Sequence, residues 1–163
     1  MGMGVGVRPA VRKDQEAIGR LISPWDRDNG WRYRERRGRV SEREFVAEDG
    51  DGILGWISGS HRSGAWGNLA AYEHRPESWV CSYIVKLYVD SQRQSGGMGS
   101  LLLGAFEADA MRAGRDLVVV HPDETGDVER LIQFYRNNGY NFMEPSRAHS
   151  MRPAWLMAKT LRW

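Results

Sequence analysis

The chain has 163 residues, of which 41% are hydrophobic and 27% are charged, and its formal net charge is +2. This length and composition fit one globular domain and argue against wholesale disorder, and so small a charge does not indicate nucleic-acid binding. The single cysteine, Cys81, excludes an internal disulfide, and the four histidines are too scattered for a zinc site. No apolar run approaches the ~20 residues that cross a bilayer, so we expect a metal-free cytoplasmic protein without a membrane partner.

The first half of the chain predicts a strand, a helix and a β-hairpin. Residues 5–8 are typical of a short strand, and residues 13–22 of an amphipathic helix that Asp14 caps. Residues 23–44 are polar, basic and aromatic, and their periodicity is too weak to predict a regular element. Two runs of strand type flank a Gly-Asp-Gly turn and predict the hairpin, at 45–49 and 53–62.

Strands and helices alternate in the second half. A long apolar run at 78–89 predicts a strand, and the helical period that follows at 97–113 stops at Gly114. Another helix begins after Asp127, which can cap it, and ends at 137–139. Three further runs of strand type lie at 116–122, near 140–144 and near 154–161. This order predicts an α/β protein with a mixed sheet and helices on both faces.

A glycine-rich turn, QSGGMG at 94–99, connects the long strand to its helix. Glycine lets backbone N–H groups close on a ligand and permits positive φ. The first amides of a helix have no intrahelical acceptors and lie at the positive end of its dipole. The turn is therefore typical of a phosphate-binding site, with a plain tight turn as the alternative.

Three segments resemble the GCN5-related N-acetyltransferase (GNAT) family. Residues 94–99 fit its signature Q/R-x-x-G-x-G/A, residues 6–22 are similar to its opening strand and helix, and residues 131–140 to its late FY…GF motif. The resemblance implies a single domain over residues 1–163. It also implies a twisted, mostly antiparallel sheet of about seven strands, with a splayed fourth strand and helices on both faces.

The resemblance further implies which residues bind acetyl-CoA, the co-substrate. The pyrophosphate would lie on the turn and the first residues after it, namely Gln94, Ser95, Gly96, Gly97, Met98, Gly99 and Ser100. The pantetheine arm would pair with the fourth strand near Leu87 and Val89. A main-chain amide in that same stretch would stabilise the oxyanion of acyl transfer.

Tyr135 stands where the resemblance places the general acid for the departing CoA thiolate. A phenol is protonated at neutral pH and can donate, whereas the alternative is that Tyr135 only packs on its helix beside Leu131 and Ile132. Many relatives carry a carboxylate base on the fourth strand, but residues 80–88 contain none, so the general base is not identified. Val128 occupies the place of an asparagine that often contacts pantetheine.

Other residues are weaker candidates for a catalytic role. Ser82 and Tyr83 could hold a water molecule, and His121, at the end of a strand, could relay a proton. A hydrogen bond to the backbone is the more common role of a strand-end histidine. Cys81 is expected to be a buried, inert thiol, because direct transfer needs no covalent intermediate.

The run WRYRERRGR at 31–39 is the clue to the acceptor, because this region usually lines the acceptor site of the family. The candidate acceptor-binding residues are Trp31, Tyr33 and Arg34. Arginines can clamp an acidic group and the aromatic rings can stack, although a solvated helix face is the alternative.

The sequence therefore predicts an enzyme that moves an acetyl group from acetyl-CoA directly to a primary amine of a small molecule, peptide or protein. A non-catalytic acyl-CoA-binding regulatory domain is a second interpretation, favoured by the missing carboxylate and by Val128. A third is a toxin that acetylates aminoacyl-tRNA, favoured by the length and the arginine run. Nucleic acid is otherwise not an expected partner, and a homodimer is possible.

Overall fold

The computed structural model of the protein describes six stretches of the chain. They are residues 4–29, 43–61, 81–92, 97–122, 128–143 and 156–161, and of residues 25–29 it describes the backbone alone. The strands are β1 (Gly6–Pro9), β2 (Arg43–Asp49), β3 (Gly52–Ser60), β4 (Cys81–Val89), β5 (Leu117–Val120), β6 (Asn141–Phe142) and β7 (Met157–Thr160). The helices are α1 (Gln15–Asn29), α2 (Met98–Arg112) and α3 (Val128–Asn137).

The seven strands form one mixed sheet in the order β1-β2-β3-β4-β5-β7-β6. Pairing is antiparallel for β1 with β2, β2 with β3, β5 with β7 and β6 with β7, and parallel for β4 with β5. The predicted fold class, a mixed and mostly antiparallel sheet of seven strands with helices, is confirmed. The β4–β5 register ends at Ile84↔Val120, whereas β4 continues to Val89.

Helix α1 is longer than the sequence predicts. The prediction ended it at Ile22, but the helix continues through Pro24 to Asn29. Proline removes the hydrogen bond that its N–H would donate one turn back, to the carbonyl of Arg20. Arg20 is exposed, so water can hydrate that carbonyl, and the helix does not have to end there.

Asp14 does not cap α1 as predicted. It ends a 3₁₀ turn, Arg12–Asp14, and its Oδ2 accepts the backbone N–H of Val11 at 2.8 Å. Both carboxylate oxygens also accept from the Arg8 guanidinium, at 2.8 and 2.9 Å. The carboxylate is thus held by an arginine on β1, a partner that no local capping pattern reveals.

The chain divides into two compact units, Met1–Gly59 with Val85–Asp109, and Ser60–Ile84 with Ala110–Trp163. The predicted single domain over residues 1–163 stays a prediction.

In the first unit, helices lie on both faces of the sheet. Ile18 of α1 packs against Val46 of β2 and Trp56 of β3. Gly55 precedes Trp56 on β3 and points the other way, and a β-carbon there would lie 2.8 Å from Cδ1 of Leu102 on α2. Glycine at position 55 therefore lets α2 approach the strand closely.

The core of the second unit is built on the paired strands β4 and β5. All four residues of β5 are buried. On one face of the pair a hydrophobic cluster forms from Cys81, Tyr83, Leu117, Val119 and Leu156. The continuous apolar run of β5 is typical of a strand that is covered on both faces.

Candidate functional site

The start of α2 presents backbone N–H groups that have no acceptor within the helix. The Gly97 carbonyl accepts the first intrahelical bond, from the N–H of Leu101 at 3.1 Å. The N–H groups of Met98, Gly99 and Ser100 precede that bond. The first turn of α2 carries no acidic side chain, whereas those of α1 and α3 each carry a glutamate. No carboxylate in its own first turn therefore offsets the positive end of α2.

Gly97, directly before α2, has a backbone conformation that other residues rarely adopt. Its φ is +75°, in the left-handed region that favours glycine. A β-carbon added at Gly97 would meet no atom of the described structure within 4 Å. Its dihedral angle, rather than crowding by the described residues, therefore favours glycine here, and those residues leave the space beside it open.

Leu87 and Val89 lie on β4 in the same unit as the start of α2, and both are half-buried. Tyr88 between them packs with the cluster on the α1 face. Alternation along the strand places Leu87 and Val89 on the opposite face, which α2 covers. Just after the strand, the Asp90 N–H donates to the Leu54 carbonyl at 2.8 Å.

Gly55 is a residue of this region that sequence reasoning missed. Its α-carbon approaches Leu102 so closely that a β-carbon would clash, and it also lies near Met98, where the β-carbon would be 3.4 Å from Sδ. Gly55 thereby helps to position the first turn of α2. A lone glycine inside a predicted strand is the signal that could have indicated such a close approach.

Tyr135 is almost fully buried in the second unit, with 3% of its surface exposed. It lies near the end of α3, where its carbonyl accepts the N–H of Tyr140 at 3.0 Å, and Gly139, with φ +93°, closes the turn. Its ring contacts Phe134 and Tyr140 edge-on, with centroids 5.2 and 5.5 Å apart. These contacts fix the ring, so a phenol at this position would be well oriented.

Several predicted residues lie outside the described part of the chain. They are Trp31, Tyr33, Arg34, Gln94, Ser95, Gly96 and the capping residue Asp127. Of the predicted cofactor residues, the structure brings together Gly97, Met98, Gly99 and Ser100 at one helix start. Val128 begins α3 and is 38% exposed.

Ser82 of β4 has a partner that the sequence did not indicate. Nδ1 of His61 lies 2.6 Å from Oγ of Ser82, and both residues are buried. The two are 21 positions apart in the chain, so no local pattern connects them. Cys81, beside Ser82, is buried, as expected. His121 directly follows β5 and is half-buried.

Glu44 on β2 is a second titratable group that the sequence did not single out. Burial raises the pKa of its carboxyl group, and the neighbouring indole N–H of Trp56 offsets part of the shift. Glu44 pairs in register with Ser58 of β3. A carboxylate with a raised pKa is a better proton acceptor at neutral pH than an ordinary glutamate.

Within the described stretches, we find no group of three or more His, Cys, Asp or Glu side chains that could hold a metal ion. None of the helices in these stretches is long and apolar enough to cross a membrane.

A family model described as "Acetyltransferase (GNAT) domain" matches residues 41–142. This match covers more than half of the chain and includes the glycine turn and the whole of α2 and α3. The chain belongs to the GNAT family. A comparison with curated protein sequences gave no match.

Solved structures with similar folds agree with this membership. A GNAT-family acetyltransferase from Brucella melitensis in complex with acetyl-CoA has a TM-score of 0.64 at 17% identity, over 99% of this chain and 90% of the other. The ribosomal-protein-S18-alanine N-acetyltransferase from Escherichia coli has a TM-score of 0.65 at 13% identity, over 98% and 96%.

A third similar structure is N-acetylglutamate synthase from Neisseria gonorrhoeae, complexed with coenzyme A and N-acetyl-glutamate. It has a TM-score of 0.69 at 20% identity, over 98% of this chain but 36% of the synthase. At these identities the similarities establish the fold that the chain shares with these proteins.

Proposed function

We propose that the chain is an N-acetyltransferase that moves an acetyl group from acetyl-CoA directly to a primary amine. The observation that carries this proposal is the start of α2, where Gly97 adopts positive φ and the amides of Met98, Gly99 and Ser100 have no intrahelical acceptor. Membership of the GNAT family and the similarity to proteins crystallised with CoA or acetyl-CoA support the same donor.

The pyrophosphate of the donor binds the amides at the start of α2, together with the preceding turn residues Gln94, Ser95 and Gly96. Two properties support this assignment, the positive helix end and the absence of a carboxylate from its first turn. The pantetheine arm pairs with the backbone of β4 near Leu87 and Val89, because an exposed strand edge offers the alternating donors and acceptors that its amides need.

The chemical step needs a stabilised oxyanion and a proton for the departing thiolate. A main-chain N–H between Leu87 and Val89 serves the oxyanion. Tyr135 donates the proton, and its ring packing supports this role because a fixed ring holds the hydroxyl in one direction. The acceptor is recognised by Trp31, Tyr33 and Arg34.

The acceptor class follows from similar proteins only in outline. The names of those proteins include an acceptor that is a small molecule, as in N-acetylglutamate synthase, and one that is a protein, as in the S18-alanine acetyltransferase. We therefore propose a primary amine of a small molecule, peptide or protein. The homodimer and the cytoplasmic location stay predictions.

The test is release of free CoA thiol from acetyl-CoA across a panel of amino acids, polyamines, peptides and ribosomal proteins. Amine-dependent release, with the acetylated amine identified by mass spectrometry, is the expected result. Acetyl-CoA binding without turnover on any amine would instead favour a regulatory acyl-CoA-binding domain, the alternative that a β4 without a carboxylate supports. Turnover only with aminoacyl-tRNA would favour the toxin interpretation.

A further inference from the structure

Glu44 of β2 is a half-buried carboxylate in the first unit, and no described cation offsets its charge. Burial raises its pKa, and the described groups that lower this pKa include no cationic side chain. Asp14 of the same unit shows the opposite, because the contacting Arg8 guanidinium lowers its pKa to about 2. Arg43, which precedes Glu44, lies on the other face of β2 and pairs with Asp109 of α2 at 3.1 Å. A cation bound beside Glu44 would therefore offset a cost that the described residues leave uncompensated.

The face of the sheet around Glu44 carries polar and aromatic side chains. Ser58 of β3 lies opposite Glu44 in register and is buried, and Trp56, on the same face of β3, lies beside the carboxylate. Tyr88 of β4 packs in the same cluster as Trp56 and is half-buried. Alternation also places Lys86 on this face, but Lys86 is not among the groups that shift the pKa of Glu44. The face thus combines an uncompensated carboxylate with a partly exposed aromatic ring, and both attract cations.

The two sides of this face suit two separate groups of one acceptor. Strand β3 lies between β2 and β4, and neighbouring strands are about 4.8 Å apart, so the backbones of β2 and β4 are about 10 Å apart. The proposed reaction takes place along β4 near Leu87 and Val89, on either side of Tyr88. An ammonium group that pairs with Glu44 keeps its proton, because the ion pair raises the ammonium pKa and lowers that of the carboxyl group. This nitrogen does not attack, so an acceptor that occupies both positions has two amino groups.

We infer that Glu44 binds a second ammonium group of the acceptor, one that is not acetylated, and that the acceptor is a small aliphatic diamine or polyamine. The inference rests on the proposed acetyl transfer. The methylene chain of the acceptor packs on the ring of Tyr88, and its other amino group attacks the thioester as a neutral amine. The nitrogen–carbon bond forms as the carbon–sulfur bond breaks, and the proton that nitrogen loses balances the proton that sulfur gains. Glu44 takes no part in this step.

The burial of Glu44 favours a narrow acceptor. Its carboxylate is half-buried, whereas those of Glu16 and Asp51 in the same unit are exposed. An unbranched methylene chain with a charged end can enter such a position, but the surface of a folded protein can reach it only with a protruding side chain.

Kinetics with matched amines test the inference. Unbranched diamines from diaminopropane to diaminooctane are compared with monoamines of the same chain length. We expect kcat/KM for the best diamine to exceed that of its monoamine by ~10-fold or more, the effect of one charge-assisted hydrogen bond. Glu44→Gln keeps the size of the side chain and should reduce the diamine to the level of the monoamine, with kcat/KM for the monoamine nearly unchanged.

Glu48→Gln is the matched control. Glu48 is also a half-buried glutamate of β2, but Arg8 already contacts it, with Nε 2.7 Å from Oε1. This variant should retain the preference for the diamine, and both variants should bind CoA as the wild type does, measured by calorimetry. Equal losses of Glu44→Gln on the two amines, or a diamine preference that persists in this variant, would overturn the inference.

Binding can also be measured without turnover. In the CoA-bound wild-type protein, ¹³C chemical shifts of the Glu44 carboxyl group report its pKa, and an excess of putrescine should lower this pKa, as Arg8 lowers that of Asp14. An unchanged pKa would contradict the inference. Acetylation of peptides or ribosomal proteins but of no diamine would also overturn it and leave the proposed function in place. If the wild type acetylates no amine, the proposed function fails, and the pKa measurement still decides whether Glu44 binds a diamine.

Discussion

At the scale of single residues, Gly97 provides a test that separates backbone conformation from size. Its φ of +75° costs a residue with a β-carbon about 1 kcal/mol, although no described atom would meet that carbon. We expect both Gly97→Ala and Gly97→Val to lower CoA affinity, because relaxing φ turns the following amides away from their common direction. The measurement is calorimetry on proteins whose folding is checked by thermal unfolding.

Gly104 offers the matched control for these variants. It lies exposed within α2, and a β-carbon there also meets no atom within 4 Å. Gly104→Ala should leave CoA affinity unchanged and stabilise the helix by up to ~1 kcal/mol. If Gly97→Val binds CoA as tightly as the wild type, the glycine turn only connects the strand to the helix.

The second residue prediction concerns Tyr135. Tyr135→Phe keeps the edge-on ring contacts and removes the hydroxyl, so it should lower kcat with little change in the KM for acetyl-CoA. General-acid contributions are ~10²–10⁴-fold, and we expect the lower end or below because a thiolate is already a fair leaving group. Tyr140→Phe makes the same change on the contacting ring and should keep wild-type kcat. A Tyr135→Phe rate within about twofold of wild type, with chemistry rate-limiting, would assign Tyr135 to packing.

The third residue prediction follows from Asp14. The Arg8 guanidinium lowers the pKa of this carboxyl group to about 2, from an ordinary value of 3.8. A lowered pKa in the folded state stabilises the protein above the ordinary pKa, and this contribution is lost as the pH falls toward 2. Because Arg8 is about a third exposed, we expect of the order of 1 kcal/mol at pH 7.

Urea unfolding of the wild type and Asp14→Asn at pH 7 and at pH 2 measures this contribution. The difference in unfolding free energy should be present at pH 7 and nearly absent at pH 2. Asp51→Asn, at an exposed turn residue, should show no difference at either pH. A difference for Asp14→Asn that is equal at both pH values would exclude the ion pair as its source.

At the scale of elements, the start of α2 predicts which part of the donor is recognised. If the free amides of Met98, Gly99 and Ser100 hold the pyrophosphate, CoA should bind far more tightly than dephosphorylated pantetheine. Calorimetry with both ligands measures the difference, and raising the salt concentration should reduce it. Equal affinity for the two ligands would remove the helix start from the binding site.

The elements also show which features a sequence can predict. Strands β2 to β5 and helix α2 were predictable because each carries a long, regular apolar pattern between turn residues. Gly114 and Gly139 end their helices with positive φ, as their positions suggest. The end of α1 was not predictable, because proline normally ends a helix and the exposure of Arg20 could not be known.

Contacts between residues that are far apart in the sequence could not be predicted from it. The Arg8 guanidinium holds Asp14 and Glu48, and the latter is 40 positions away. His61 meets Ser82 only because β3 and β4 are neighbours in the sheet. Glu44 acquires its raised pKa from burial, which depends on tertiary packing and not on its neighbours in the chain.

At the scale of the whole molecule, the prediction concerns acceptor recognition. Three of the five arginines in the basic and aromatic run at 31–39, namely Arg34, Arg36 and Arg37, can be replaced by glutamine without a large change in size. The triple variant should raise the KM for the acceptor and leave the KM for acetyl-CoA nearly unchanged, because the two substrates use different residues. Steady-state kinetics with the best amine of the panel measures both constants, and an unchanged acceptor KM would make the run a solvated surface.

The side chains that positions 55 and 102 can accept depend on each other, because the two positions share a limited volume. Since a β-carbon at 55 would lie 2.8 Å from Cδ1 of Leu102, strand and helix share one small space. In a library that randomises both positions, the folded variants with a larger side chain at 55 should have a smaller one at 102. Alanine at 55, for example, should be accompanied by a shorter side chain at 102. Among natural homologues the same dependence would appear as covariation between positions 55 and 102. Neither residue takes part in the reaction, but both help to hold the first turn of α2 in place.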